Sequence, residues 1–354
     1  MSGRSTPIEA VPAAAITDWL RSEVPEIPVG DAPVGVERIA GGHSNLTYRI
    51  TDAAGGCWAL RRPPTGLVLA TAHDMAREWR FLTALAPTPV PVARPVALCT
   101  DPAVIGAEFY VMAFVDGEVL GDEPSGRRLA PPARRTAGLD AVDVLADLHA
   151  VDPEAVGLGD LRRPGTYLER QLRRWHRQVH QSAVEDLSVV DAVHARLLAG
   201  APGNPEVRIA HGDFRLGNLA VSAQGRVQAV FDWELATLGD PLADLGWLIA
   251  SWGRPGDDPP ATIDGPTSAD GFPERDELVR RYAGRSGRDV SGLDYYVAFA
   301  RWRSACIGAG VYTRYVAGVM GPDAPDASGT SDDLAARLGG VHVQAAAALA
   351  ALGG

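Results

Sequence analysis

HGDFRLGN, residues 211 to 218, sets a histidine, an aspartate and an asparagine within eight positions. An apolar pair, Ile209 and Ala210, precedes it, and another, Leu219 and Ala220, follows. A polar run between short apolar ones reads as a loop held by two strands rather than as a helix face. Two explanations compete for it: an Asx-rich turn in solvent, or a site that handles a proton and a metal ion.

The sequence further on, RVQAVFDWELATLGDPLADLGWL, favours the second. Val227 to Phe231 reads as a buried strand that ends at Asp232, fourteen residues after Asn218. Phosphoryl transfer from ATP uses this set: one carboxylate (Asp213) orients and deprotonates the attacking hydroxyl, while an amide oxygen (Asn218) and a second carboxylate (Asp232) hold Mg²⁺. Asp232 as a simple cap is the plainer alternative.

Such chemistry also needs parts nearer the N-terminus. Residues 34 to 62 alternate short apolar runs with glycine-rich turns, which predicts three strands and two turns. Gly42, Ser44 and Asn45 lie in the first turn, where backbone N–H groups would cover phosphates, although any hairpin uses the same residues. In Trp58-Ala59-Leu60-Arg61 the side chains alternate, so Ala59 and Arg61 share a face. That face would meet the nucleotide, with Ala59 under adenine and Arg61 at the phosphates, and Arg62 would point away. The chain has no lysine, so arginine is the only long cation it offers here; its fork grips phosphate in a bidentate manner. Residues 72 to 86 read as a helix, and Glu78 on it is placed to pair with Arg61; Arg77 and Arg80 are the local alternatives. EFYVMAFVDG reads as a strand that enters a connection, where backbone groups near Ala113 to Val115 would bond adenine, with Met112 and Phe114 as nucleotide-binding residues.

Composition bounds the rest. A chain of 354 residues is too long for one small core and predicts one large domain or two lobes. The division falls near 115: a β-rich nucleotide lobe over 1–115, with 1–12 a loose tail, and a helical lobe over 116–354 that holds the catalytic loop. The net charge of −11 argues against a nucleic-acid partner. Three scattered cysteines, no signal-peptide core and no unbroken apolar run of spanning length predict a cytoplasmic protein without a membrane partner. The stretch 253–273 is polar and without periodicity, which predicts a mobile or unstructured rim.

Together HGDxxxxN, DWE and GDPxxDL resemble the aminoglycoside phosphotransferase superfamily, small-molecule kinases with a protein-kinase-like fold. GGHSNLTYRI, ALRRPPTG, REWRFLTAL, FYVMAFVDG, TYLERQLRRW and ACIGAGVYTRYVAG are similar to the kinase-like domain of acyl-CoA dehydrogenase family members 10 and 11 and to stand-alone bacterial relatives. The resemblance runs from about residue 36 to about 320. It implies an α+β bilobal fold, with a small antiparallel-sheet N-lobe and a larger, mainly helical C-lobe. It also implies Asp213 as base, Asn218 and Asp232 as Mg²⁺ ligands, and Arg61 with Glu78 at the phosphates of ATP. His211 is expected to shape the loop, and Asp240 and Asp244 to brace it. Arg61 departs from the superfamily's lysine.

The acceptor is a small hydroxylated molecule. Residues 161 to 180 carry six arginines, two histidines and one acid. Arg170, Arg174 and Trp175 there, with Arg215 of the loop, are candidate substrate contacts, and a run so basic draws an anionic substrate and repels a cationic drug. The resemblance implies a hydroxyacyl-CoA thioester. An aminoglycoside kinase and a non-catalytic nucleotide-binding scaffold are the alternatives, and a solvated helix paired with acids elsewhere is the plain explanation of the arginines.

Overall fold

The computed structural model describes residues 11–25, 27, 29–39, 45–64, 74–203, 206–263, 265–318 and 330–353. Most of the expected tail at 1–12 lies outside these residues, as do Gly42 and Ser44 of the glycine-rich turn. The chain divides into two compact units, Met1–Thr88 with Val92–Asp116, and Pro89–Pro91 with Gly117–Gly354.

The first unit holds α1 (Ala13–Glu23), β1 (Gly35–Ile39), β2 (Leu46–Thr51), β3 (Cys57–Arg62), α2 (Met75–Leu85), β4 (Pro95–Cys99) and β5 (Phe109–Ala113). The strands form one antiparallel sheet in the order β1-β2-β3-β5-β4. Because side chains alternate, the sheet has two different faces. Tyr48, Ile50, Trp58, Leu60, Phe109 and Val111 pack with Ile16 and Leu20 of α1 into one core. Ala59 lies opposite Met112, and Arg61 opposite Tyr110, so these four share the other face. Asp74 starts α2 by accepting the Arg77 N–H, as an aspartate N-cap does.

The second unit runs through β6 (Glu118–Val119), α3 (Glu123–Arg128), α4 (Pro131–Ala150), α5 (Tyr167–Val179), α6 (Ser188–Ala199), β7 (Arg208–Ala210), β8 (Leu219–Val221), β9 (Val227–Val230), β10 (Thr237–Gly239), α7 (Pro241–Ala250), α8 (Arg275–Ser286), α9 (Leu293–Val316) and α10 (Ser331–Ala351). Its strands make two small sheets, β7 with β10, and β6-β8-β9. Helix α7 is apolar on nearly every side and is a core helix. Gly246 allows α9 close to it: a Cβ there would stand 2.6 Å from the Tyr296 backbone. Helix α10 is long and apolar enough, by length and composition, to cross a membrane. It packs on α9 and α6, with Val341, Ala345 and Ala348 buried.

The polar stretch 253–273 differs from its expectation. Asp257 accepts from the Arg254 backbone N–H and from the Arg275 guanidinium, and Trp252 Nε1 donates to the Pro273 carbonyl at 3.0 Å. Arg301 of α9 and Gln344 of α10 both donate to the Pro260 carbonyl, at 2.9 and 3.1 Å. These anchors come from residues distant in sequence, which periodicity does not register.

Candidate active site

Residues 211–218 span the gap between β7 and β8. Gly212 has a φ of +84°, and a Cβ on it would stand 2.8 Å from the Leu235 carbonyl oxygen, so glycine is needed for conformation and space alike. His211 is fully buried. Its Nδ1 accepts the Asp213 N–H at 3.2 Å, so the ring proton sits on Nε2, which donates to the Phe231 carbonyl at 2.8 Å. With both ring nitrogens committed to backbone, His211 shapes the loop.

Three donors fix the Asp213 carboxylate. Trp247 Nε1 reaches Oδ1 at 2.7 Å, and Asn218 Nδ2 and Arg215 Nε reach Oδ2 at 2.8 and 3.4 Å. Asn218 Nδ2 also donates to the Asp213 carbonyl at 2.8 Å. The amide therefore presents its nitrogen to Asp213, and among the described residues its oxygen accepts nothing. The Phe231 N–H donates to the Asn218 carbonyl at 2.8 Å, which brings Asn218 beside the end of β9. There Asp232 adopts φ 67°, a left-handed conformation and the one such non-glycine among the described residues. A β-carbon in that conformation costs about 1–2 kcal/mol, and such strain gathers at functional positions. An amide oxygen and a carboxylate are hard oxygen donors and fit Mg²⁺.

Asp244 of α7 braces the loop. It is buried, and it accepts the His211 N–H at 2.6 Å and the Gly212 N–H at 2.8 Å. Burial pushes its carboxyl up, but the hydrogen bond and charge of His149, then His211 and the Gly212 N–H, outweigh this and hold it below the usual range. Burial holds His149 itself below the ordinary histidine value. Asp240 caps α7 through the Leu242 N–H and accepts the Tyr296 hydroxyl at 2.7 Å. Burial dominates there and pushes its pKa up to about 6, against those two hydrogen bonds.

Trp247 extends the site in another direction. Arg303 of α9 lies over its indole, 4.4 Å from the centroid, and 5.6 Å from that of Trp175. Arg174 lies over Trp175 at 5.1 Å. Arg303 is only 5% exposed, its Nε has no hydrogen-bond partner, and no carboxylate among the described residues pairs with it. An unpaired buried cation costs several kcal/mol, on the order of the 3–5 kcal/mol seen when a buried pair loses one member.

In the first unit, Arg61 Nε donates to Glu78 Oε2 at 2.9 Å, as strand alternation requires. The Tyr110 hydroxyl donates to the same oxygen at 3.0 Å, and Asn45 Nδ2 to Oε1 at 2.6 Å. Arg62, on the other face, donates to the Ile105 and Pro63 carbonyls.

The structure alters several expectations. The Asn45 side chain is committed to Glu78. The Ala113 N–H is taken by the Arg94 carbonyl at 2.8 Å, so within the stretch expected to meet adenine this donor is spent. The Phe114 ring has Arg49 over it at 4.8 Å. Arg170, a candidate substrate contact, staples the turn before α5 by donating to the Gly165 carbonyl at 2.7 Å. Trp175 is buried, with Nε1 on Gln171, and serves as a platform for arginines. Trp247 and Arg303 escaped the sequence reading. An apolar helix with a tryptophan looks like core, and only the indole nitrogen on Asp213 marks this one as part of a site.

Residues 35–278 match the model of the phosphotransferase enzyme family. Acyl-CoA dehydrogenase family member 10 of Mus musculus is 32% identical over 335 residues, covering 93% of this chain and 31% of that protein. The chain thus spans about a third of the curated relatives it matches. A crystal structure of a provisionally assigned aminoglycoside phosphotransferase from Ralstonia eutropha JMP134 superposes with a TM-score of 0.76 at 34% identity, covering 95% of this chain and 98% of that one. Aminoglycoside 2′-phosphotransferase-IIIa, in its GDP complex, shares the fold with a TM-score of 0.61 at 16% identity, over 95% of this chain and 99% of that one.

Proposed function

The chain belongs to the phosphotransferase enzyme family, and on that premise we propose that it moves the γ-phosphoryl group of ATP to a hydroxyl of an acyl-CoA thioester. Asp213 is the base: the hydroxyl oxygen bonds to the γ-phosphorus, its proton passes to the Asp213 carboxylate, and the bond to the β-phosphate oxygen breaks to release ADP. Asn218 and Asp232 would hold Mg²⁺, which when bound neutralises phosphate charge. Arg61, fixed by Glu78, would grip the phosphates, and backbone groups of Phe114 and Val115 would meet adenine. Arg215, on the Asp213 carboxylate, orients the base.

One observation carries the choice of acceptor. Among the described residues Arg303 is a buried cation without a counter-charge, joined to Asp213 through one indole, and Arg174 stands beside it. An acceptor with electron-rich oxygens, such as a thioester carbonyl followed by the phosphates of CoA, would satisfy them. A polycationic aminoglycoside would be repelled. The curated relatives point the same way: their names are those of acyl-CoA dehydrogenases, and a kinase joined to such an enzyme would take a hydroxylated acyl-CoA.

The test is ADP release, coupled to NADH oxidation, with a 4-hydroxyacyl-CoA and with kanamycin as acceptors. Turnover is expected with the thioester, with KM for it raised at least about 10-fold by Arg303→Gln and kcat lowered about 10²- to 10⁴-fold by Asp213→Ala. Turnover with kanamycin alone would overturn the acceptor, and full activity of Asp213→Ala would overturn the mechanism.

A further inference from the structure

Away from the loop that carries Asp213, three side chains aim at one point. His176 and His180 lie four residues apart, at the last turn of α5 and just beyond it, and so share a face. Asp191 rises from the first turn of α6. The Asp191 Oδ1 is 3.0 Å from His176 Nε2 and 2.8 Å from His180 Nε2, and the two nitrogens are 3.2 Å apart. We propose that His176, His180 and Asp191 bind a borderline divalent transition cation, of which Zn²⁺, Co²⁺ and Ni²⁺ are examples, and that the ion ties α5 to α6.

Hydrogen bonding alone leaves this triangle frustrated. If both Nε2 atoms carry protons and donate to Oδ1, two like N–H dipoles lie side by side at 3.2 Å. If one nitrogen is the acceptor, its lone pair faces the carboxylate oxygen. A cation above the triangle satisfies all three lone pairs at once. The spacing also suits it. Ligands about 2.1 Å from a metal stand about 3.0 Å apart on the face of an octahedron and about 3.4 Å apart on a tetrahedron. The three separations of 3.0, 2.8 and 3.2 Å match the octahedral face, which leaves the opposite positions to water. Two imidazoles and one carboxylate suit the later first-row divalent ions and not Mg²⁺, which takes oxygen.

The ligands are held in advance. His194 of α6 stacks on His176, centroids 3.9 Å apart and planes 17° apart. His194 stacks in turn on Trp302, at 5.7 Å, and Trp302 is fully buried with Nε1 donating to the Val190 carbonyl of α6 at 2.9 Å. The His176 ring therefore meets the ion with little rotational freedom left to lose. His180 and Asp191 are at the surface, which gives an ion access. Helix α5 also carries Arg174 and Trp175, so an ion here would stiffen the element that supports them.

The experiment uses the full chain without a polyhistidine tag, stripped by chelator and titrated calorimetrically with ZnCl₂ in excess MgCl₂. One equivalent should bind with a micromolar or tighter Kd and raise the thermal midpoint. His180→Ala should weaken binding on the order of 100-fold, since a direct ligand matters at least as much as the outer partners whose loss costs 10–100-fold. Arg173→Ala, on an exposed neighbouring position, should leave binding unchanged. No binding by the wild type, or equal binding by His180→Ala, overturns the site. Both variants alter exposed residues, and circular dichroism checks that they fold.

Discussion

Trp247→Phe takes one hydrogen-bond donor from Asp213 and little else. The indole N–H to Oδ1, at 2.7 Å, is the shortest of the three bonds that fix this carboxylate. A hydrogen bond to a charged group contributes about 1.5–3 kcal/mol. At about 1.36 kcal/mol per decade, losing it altogether would lower kcat about 10- to 150-fold. Asn218 and Arg215 still hold Oδ2, so the carboxylate loses one axis of restraint and the effect should fall near 10-fold. Phenylalanine keeps an aromatic face for Arg303, which confines the change to the donor. The assay is ADP release at saturating ATP, with the melting curve recorded for the same preparation. KM for ATP should stay within about twofold of wild type, because Trp247 is assigned to the acceptor side. Asp213→Ala sets the floor, expected about 10²- to 10⁴-fold down. A folded Trp247→Phe enzyme with wild-type kcat would refute the positioning role and leave Trp247 as packing.

Three further outcomes are expected. Asp232→Ala and Asp232→Gly should both weaken Mg·ATP binding by calorimetry, yet the glycine variant should be about 1 kcal/mol the more stable in urea melts, since only it relaxes in the left-handed conformation; equal stability would remove the strain. Arg61→Ala should raise KM for ATP and lower kcat, whereas Arg62→Ala should cost about 1–3 kcal/mol of stability through the lost bonds to the Ile105 and Pro63 carbonyls; exchanged phenotypes would show that the nucleotide meets the other face. Asp240 has its folded pKa raised to about 6, so it favours the folded state most below the unfolded value and loses that contribution as pH rises through about 6. Asp240→Asn should match wild type near pH 4 and gain up to about 3 kcal/mol on it by pH 8, from a shift of about two pKa units; a pH-independent difference would refute the buried charge.

How much of this was legible beforehand depended on distance along the chain. The loop of Asp213 and Asn218, the strand ending at Asp232 and the parity that separates Arg61 from Arg62 all follow from local spacing, because a strand alternates with period two and turns use few residue types. Local spacing also placed Glu78 on the helix after β3, and the pairing formed. The same reasoning failed where side chains meet from afar. The polar 253–273 stretch gained anchors from Arg275, Arg301 and Gln344. Trp247 and Arg303 belong to α7 and α9; the tryptophan reads in sequence as a core position, and nothing local says where the arginine will point. Their convergence on Asp213 is a product of packing: Gly246 lets α9 approach α7 closely, and that approach sets a guanidinium on the indole which holds the carboxylate. The triangle of His176, His180 and Asp191 likewise needs α6 laid against α5. The sequence by itself determined the reactive groups and their local order; the tertiary structure decided which distant groups surround them, because periodicity encodes which way a side chain faces and not what it will meet.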